Sequence, residues 1–184
     1  FRMNETNGTA TTTATRLGEV IEGSTTEFQT HCYDLYAAPP LGSLVRCGDR
    51  DSIYGIVCNV STQSIDPSRH AIPRGRDAQN EDEIYQDNPQ LNRLLYTQFQ
   101  AVIVGYNDGE TTRRYLPPFP PRIHSFVYQC ESEEVWAFSE SLDFLPVLLS
   151  APIDGRWNGV LVLTYDFQIR PCQHNILFVF VFLF

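Results

Sequence analysis

Four histidines, five cysteines and 22 carboxylates are the side chains here that could hold a metal, move a proton or attack a carbonyl. The histidines are His31, His70, His124 and His174, too far apart in sequence for neighbouring ligands, so a metal site would have to be assembled from distant loops. His31–Cys32 and Cys172-x-His174 are the only Cys/His neighbours. In a strand His31 and Cys32 point to opposite faces and cannot chelate together. The acids gather as Glu81-Asp82-Glu83 and as Glu131, Glu133 and Glu134. Such runs read as solvated helix starts rather than as two carboxylates facing one substrate. There is no G-x-S-x-G elbow and no G-x-G-x-x-G fingerprint. No catalytic, metal-ligating or cofactor-binding residue is therefore assigned, and no cofactor is expected.

Charge narrows the classes further. The chain of 184 residues carries a net charge of −9, which repels phosphate backbones, so direct nucleic-acid binding is not expected. All 13 basic residues are Arg and none is Lys. Without Lys there is no P-loop, no Schiff base on a side-chain amine and no kinase-type catalytic lysine. Cys32, Cys47, Cys58, Cys130 and Cys172 form no CxxC pair and sit mostly in apolar or alternating runs. They read as buried reduced thiols of a cytosol-like compartment, with disulfide pairing as the alternative.

Chemistry that binds rather than reacts is better represented. Pro117-Pro118-Phe119-Pro120-Pro121-Arg122 is necessarily extended and PPII-like. It reads either as a rigid crossover between strands or as a preformed docking edge with a low ordering cost. Arg113, Arg114 and Arg122 beside it have the chemistry to clamp carboxylates. The loop from Ser61 to Arg76 carries Arg69, Arg74 and Arg76 with Asp66 as its acid. It reads as a solvated loop or as a basic spot for an acidic protein partner or a phosphate group.

The elements that would position these loops are mostly strands. Leu17–Ile21 is a short strand closed by Gly23-Ser24, and Thr26–Cys32 alternates with Phe28, Thr30 and Cys32 on one face. Leu44-Val45 is followed by the tight connection Gly48–Asp51, then by Ile53–Val60, a continuous apolar run suited to burial on both faces. Asn80 caps a helical insert over 80–96, restarted by Asn88-Pro89. Phe99–Tyr106 is a strand, Asn107–Glu110 a hairpin turn, Thr111–Leu116 the return and Ile123–Cys130 a further strand. Ser132 caps an acidic helix over 132–145. The expected fold class is mainly β: a small antiparallel β-barrel of six to eight strands with two short flanking helices.

This domain spans 16–150. Residues 1–15 are rich in Thr, Asn and Gly and read as a flexible polar tail or a transit remnant, not as a signal peptide. Residues 151–184 are an atypical apolar extension ending in Ile176–Phe184, nine apolar residues where a bilayer span needs about 20. That run reads as a buried strand, as a sticky end docking on a partner or a membrane surface, or as the product of a shifted reading frame.

Several pieces, in order, resemble the HAS-barrel domain, named for the HerA-type DNA translocases and the ATP synthase subunits that carry it at their N-termini. They are Leu17–Ile21, Ser24–Phe28, Leu41–Val45 and Ile53–Val57. Asn59–Thr62, Ser64–Pro67, Asn88–Leu91, Leu116–Pro118 and Pro121–His124 are similar to stand-alone HAS-barrel-like proteins of cyanobacteria and related phototrophs. The resemblance covers Arg16 to Leu149. The ATPase core such barrels precede has no counterpart, since no Walker motif can be written without Lys. What the resemblance implies is the barrel's role as an assembly collar. The expected function is a non-enzymatic interaction module, a subunit or assembly factor of a larger, photosynthetic or ATP-synthase-like complex in the cytoplasm or plastid stroma, at the thylakoid face. The alternatives are an accessory of a HerA-type DNA-translocating ATPase and an enzyme of unrecognised class.

Overall fold

The computed structural model describes residues 15–49, 51–66, 68 and 72–151. Most of the polar tail and the apolar extension, including Cys172, His174 and the run 176–184, lie outside the described residues, as do Arg69 and His70. The elements are Arg16–Gly23 (β1), Glu27–Cys32 (β2), Leu44–Cys47 (β3), Ile53–Ser64 (β4), Glu81–Asp87 (α1), Leu91–Leu94 (α2), Leu95–Asn107 (β5), Thr112–Arg113 (β6), Phe126–Gln129 (β7), Ser132–Ser139 (α3) and Leu145–Ser150 (α4). The strands form one antiparallel sheet that closes in a barrel-like ring, running β1, β2, β5, β4, β3, β7 and back to β1. Strand β6 adds to the far end of β5, pairing Tyr106 with Arg113.

Side-chain alternation builds two cores, one on each face of the sheet. Inside the ring, Val20, Phe28, Cys32, Val45, Val57, Phe99, Ile103 and Val127 pack together. Outside it, Leu44, Ile56, Val102 and Val104 are covered by Phe138 of α3 and by Phe144 and Leu148 at α4. This is why Ile53–Cys58 is buried at every position: its residues alternate between two cores rather than between core and water. Each large apolar side chain buried this way contributes about 1.5–3 kcal/mol. Polar contacts fix where α3 lies. Arg46 Nε is 3.0 Å from Glu134 Oε1, the Arg46 guanidinium sits 4.6 Å over the Tyr128 ring, and the Tyr54 hydroxyl donates to Glu134 at 3.3 Å. At the other end of α3, Arg114 donates to the carbonyls of Phe138 at 2.6 Å and Ala137 at 2.8 Å, satisfying acceptors the helix end leaves open.

Four helices stand where two were expected. The insert 80–96 is α1 and α2, with Leu95 and Tyr96 already in β5. Asn80 Oδ1 accepts from the Glu83 amide at 2.9 Å, and Glu83 reaches back to the Gln79 amide at 2.7 Å. Asn88 ends α1, its amide bonding Ile84, instead of opening α2. The helix expected over 132–145 stops at Ser139, whose hydroxyl bonds back to the Val135 carbonyl at 2.7 Å. A separate α4 follows, with a proline in its first turn. Ser132 is not the cap of α3: Glu131 holds that position, without a side-chain cap bond. The return strand expected over 111–116 is only Thr112–Arg113, because Arg114 turns to α3 and the prolines that follow lack N–H groups for a ladder. The strand expected from Ile123 begins at Phe126, after a turn at Ile123-His124.

Ring closure depends on two glycines. A Cβ on Gly18 would lie 1.9 Å from the His31 carbonyl oxygen on the neighbouring strand, and one on Gly55 would lie 2.8 Å from the Phe28 ring that fills the interior. Gly18→Ala therefore has to displace backbone, and urea unfolding should show a loss of about 2–3 kcal/mol or more. Gly109→Ala, in open space at φ +91°, should cost only the left-handed strain of about 1 kcal/mol.

Candidate protein-docking site

The proline-rich segment between β6 and β7 stands on the ring as a ridge. Pro117 and Pro121 at its feet are buried, while Pro118, Phe119 and Pro120 are exposed. Phe119 is 76% exposed, the most open of the large apolar side chains described. Proline fixes φ and so holds this projection without help from a ladder. Its C-terminal foot is anchored on β1. Pro121 packs where a Gly23 Cβ would sit, 3.0 Å away. Both backbone groups of Val20 are used: the His124 amide donates to its carbonyl at 2.8 Å, and its own amide donates to the Ser125 carbonyl at 3.0 Å.

His124 makes this possible at φ +67°, a left-handed conformation that costs a non-glycine residue about 1 kcal/mol or more. The turn is closed by the Ser125 amide donating to Arg122 at 3.0 Å. The imidazole is tied to β1 as well: Nδ1 donates to Glu19 Oε2 at 2.8 Å, and the Tyr33 hydroxyl donates to Glu19 Oε1 at 2.8 Å. The Tyr33 hydroxyl first, and His124 second, hold the Glu19 carboxyl below the usual carboxylate range.

Between the ridge and two turns of the ring runs a groove of about 810 Å³. One wall is the segment from Pro117 to Phe126, and the other is the β3–β4 turn with Asp49 and Asp51 and the end of β5 with Tyr106, Asn107 and Asp108. All of Pro117, Pro118, Phe119, Pro120, Pro121 and Arg122 line it. The described arginines of the basic spot do not share it. Arg74 and Arg76 are exposed in the segment before α1, where Arg74 donates to Asn88 Oδ1 at 3.0 Å, and neither lines the groove. The three arginines expected to clamp carboxylates also separate. Arg113 bonds Asp108 at 2.9 Å and Arg114 is committed to α3, which leaves Arg122 on the groove. The opposite wall had only a turn signal in the sequence, and the latch from Glu19 to His124 had none, because it joins residues that only the β1–β7 pairing brings together.

Other reactive groups are placed quietly. Cys32, Cys47, Cys58 and Cys130 are free and buried. Burial pushes Cys47 up to about 12 and Cys32 and Cys58 up to about 11, and raises Cys130 further with help from Glu134, so these sulfurs are thiols rather than thiolates at neutral pH. His31 stacks on Tyr96, 4.8 Å between ring centres. Among the described residues no three His, Cys, Asp or Glu side chains gather to hold a metal ion, and no helix is long and apolar enough to cross a membrane.

The rim of the groove has a pH signature. Asp108 accepts from the amides of Thr111 at 2.9 Å and Glu110 at 3.1 Å and from Arg113, which lowers its carboxyl from 3.8 to about 2. A carboxyl lowered on folding adds stability that is present above its unfolded value and is lost as pH falls through the folded value. The Asp108 contribution is therefore full above pH about 4 and fades toward pH 2. A carbon-detected NMR titration should give an Asp108 midpoint near 2. Asp108→Asn should remove that part of the acid dependence of unfolding. An Asp108 midpoint near 4 would show that the turn does not hold the carboxylate as described.

No protein-family model and no curated protein matches the chain.

Proposed function

We propose that this chain is a non-enzymatic protein-interaction module, a subunit or assembly factor of a larger complex, and that the proline ridge is its docking element. The observation that carries this reading is Phe119, 76% exposed on a segment whose neighbouring prolines Pro117 and Pro121 are buried. A large aromatic ring kept in water by a stiff backbone is costly to leave uncovered, and little conformational entropy is lost when a partner covers it. Tyr115, Leu116 and Ile123, from 38% to 52% exposed, belong to the same stretch of chain and extend its apolar character. The buried, protonated thiols support a binding role over a nucleophilic one.

The ring of antiparallel strands supports reading the domain as a HAS-barrel-like collar, which joins subunits rather than performing chemistry. On the resemblance to phototroph proteins, the complex to test first is a photosynthetic or ATP-synthase-like assembly at the thylakoid face.

The test replaces Phe119 with a photo-crosslinking phenylalanine analogue in the full chain, in native cells; amine-reactive reagents are unsuitable because the chain has no Lys. A discrete higher-mass adduct is expected. Phe119→Ala should reduce recovery of that partner about tenfold while leaving thermal unfolding within about 1 °C, since the ring is mostly exposed. Recovery of the protein alone, as a monomer without adduct, would refute the proposal.

A further inference from the structure

A second recess lies on the outer face of the ring and shares no lining residue with the groove beside the ridge. Phe28, Phe99 and Ala101 point into the interior, so the residues between them on β2 and β5 point out. The strand register sets Glu22, Gln29, Gln100 and Asn59 in one row across β1, β2, β5 and β4. His31, Gln98 and Ser61 form the next row. Neighbouring strands lie about 4.8 Å apart, so the first row offers a carboxylate and three amides at close, regular steps. With Glu27 these side chains, His31 excepted, line a trough of about 300 Å³, the lower end of the size of ligand sites. The lining holds no basic residue and none outside the described residues. Gln100 Nε2 donates to Glu27 Oε2 at 2.8 Å. Among the described residues the side chains of Glu22, Gln29, Asn59, Ser61 and Gln98 make no hydrogen bond, which leaves donors and acceptors side by side. Beyond Gln98, on the same face, Tyr96 stacks on His31 at 4.8 Å between ring centres, and Gln63 donates to the Tyr96 hydroxyl at 2.6 Å.

We propose that this trough binds an uncharged saccharide chain. The inference goes beyond the docking role of the ridge and does not depend on it. Sugar hydroxyls both donate and accept, as do the amides of Gln29, Asn59 and Gln98, and a carboxylate such as Glu22 accepts from two neighbouring hydroxyls. The C–H face of a sugar ring covers the aromatic stack of His31 and Tyr96 at the end of the trough. An anionic ligand would face Glu22 and Glu27 with no cation to answer it. An apolar ligand would strip water from the unpaired polar side chains and return no bond. A polyamine would engage the carboxylates and leave the amide donors unpaired.

The isotope-labelled full chain is titrated with cellohexaose, maltohexaose and chitohexaose, each to about 10 mM, enough to saturate a site with a Kd of about 1 mM. The readout is the side-chain NH2 resonances of Gln29, Asn59, Gln98 and Gln100. At least one of the three saccharides should shift them saturably, and sulfated maltohexaose should not. The double variant Gln29→Ala/Gln98→Ala should weaken that binding at least about tenfold. Its thermal unfolding should stay within about 1 °C of the parent, since neither side chain bonds within the fold. Phe119→Ala, on the ridge, should bind the saccharide as the parent does. No saturable shift with any of the three, or binding that survives the double variant, would overturn the proposal. So would spermidine binding tighter than every saccharide and lost in Glu22→Gln, which would assign the trough to a cation. Because Phe119 is outside the trough, failure here leaves the docking role of the ridge standing, and failure of the crosslinking test leaves the saccharide site standing.

Discussion

The pairing of β1 with β7 is the contact on which the rest of the molecule depends. It closes the ring, and through Val20 it also plants the proline ridge, since one residue donates to Ser125 and accepts from His124. A ridge of prolines cannot join a ladder by itself, so its position must be set at its ends. Here the end is set by two backbone bonds and by the Glu19 carboxylate, which reaches the same turn from the next residue along β1. The left-handed backbone of His124 is kept by these bonds rather than by its own preference. Closure of the ring and presentation of Phe119 are consequently one structural event.

The second organising fact is that the sheet has apolar groups on both faces over only part of its circumference. Strands β3, β4 and β5 carry an outer core that α3 and α4 cover, Tyr128 of β7 is buried beneath Arg46, and β1 and β2 carry exposed or half-buried side chains such as Ile21, Gln29 and His31. Arg46, Tyr54 and Glu134 fix α3 over those strands, and Arg114 closes its far end, coupling the segment just before the ridge to the helical layer. The arginine that looks from sequence like a docking cation is a structural one.

The sequence made much of the ring legible. The alternation of Phe28, Thr30 and Cys32 and the unbroken apolar run from Ile53 are local patterns, and they emerged as an inward-facing strand and a strand between two cores. The turn Asn107–Glu110 was equally local, fixed by Asp108 and the left-handed Gly109. Helix ends were less legible. Ser139 and the proline of α4 divide what composition alone presents as one helix. The ridge was visible as a run of prolines, but the groove was not, because Asp49 and Asp51 reach it only when β3 pairs with β7. Arg74 and Arg76 had the right charge for a site and stand elsewhere, since charge in a loop says nothing about which surface the loop adjoins.

Because β1 emerges from the ribosome long before β7, its open edge has no native mate while the middle of the domain is being translated. Strand β2 can cover only one side of it, and the other must wait for nearly the whole domain. A nascent chain of this design exposes an unpaired strand throughout elongation, and any truncation before Phe126 leaves a species with a hungry β-edge and no anchored ridge. An edge open to non-native pairing during synthesis follows from where the first strand finds its final neighbour.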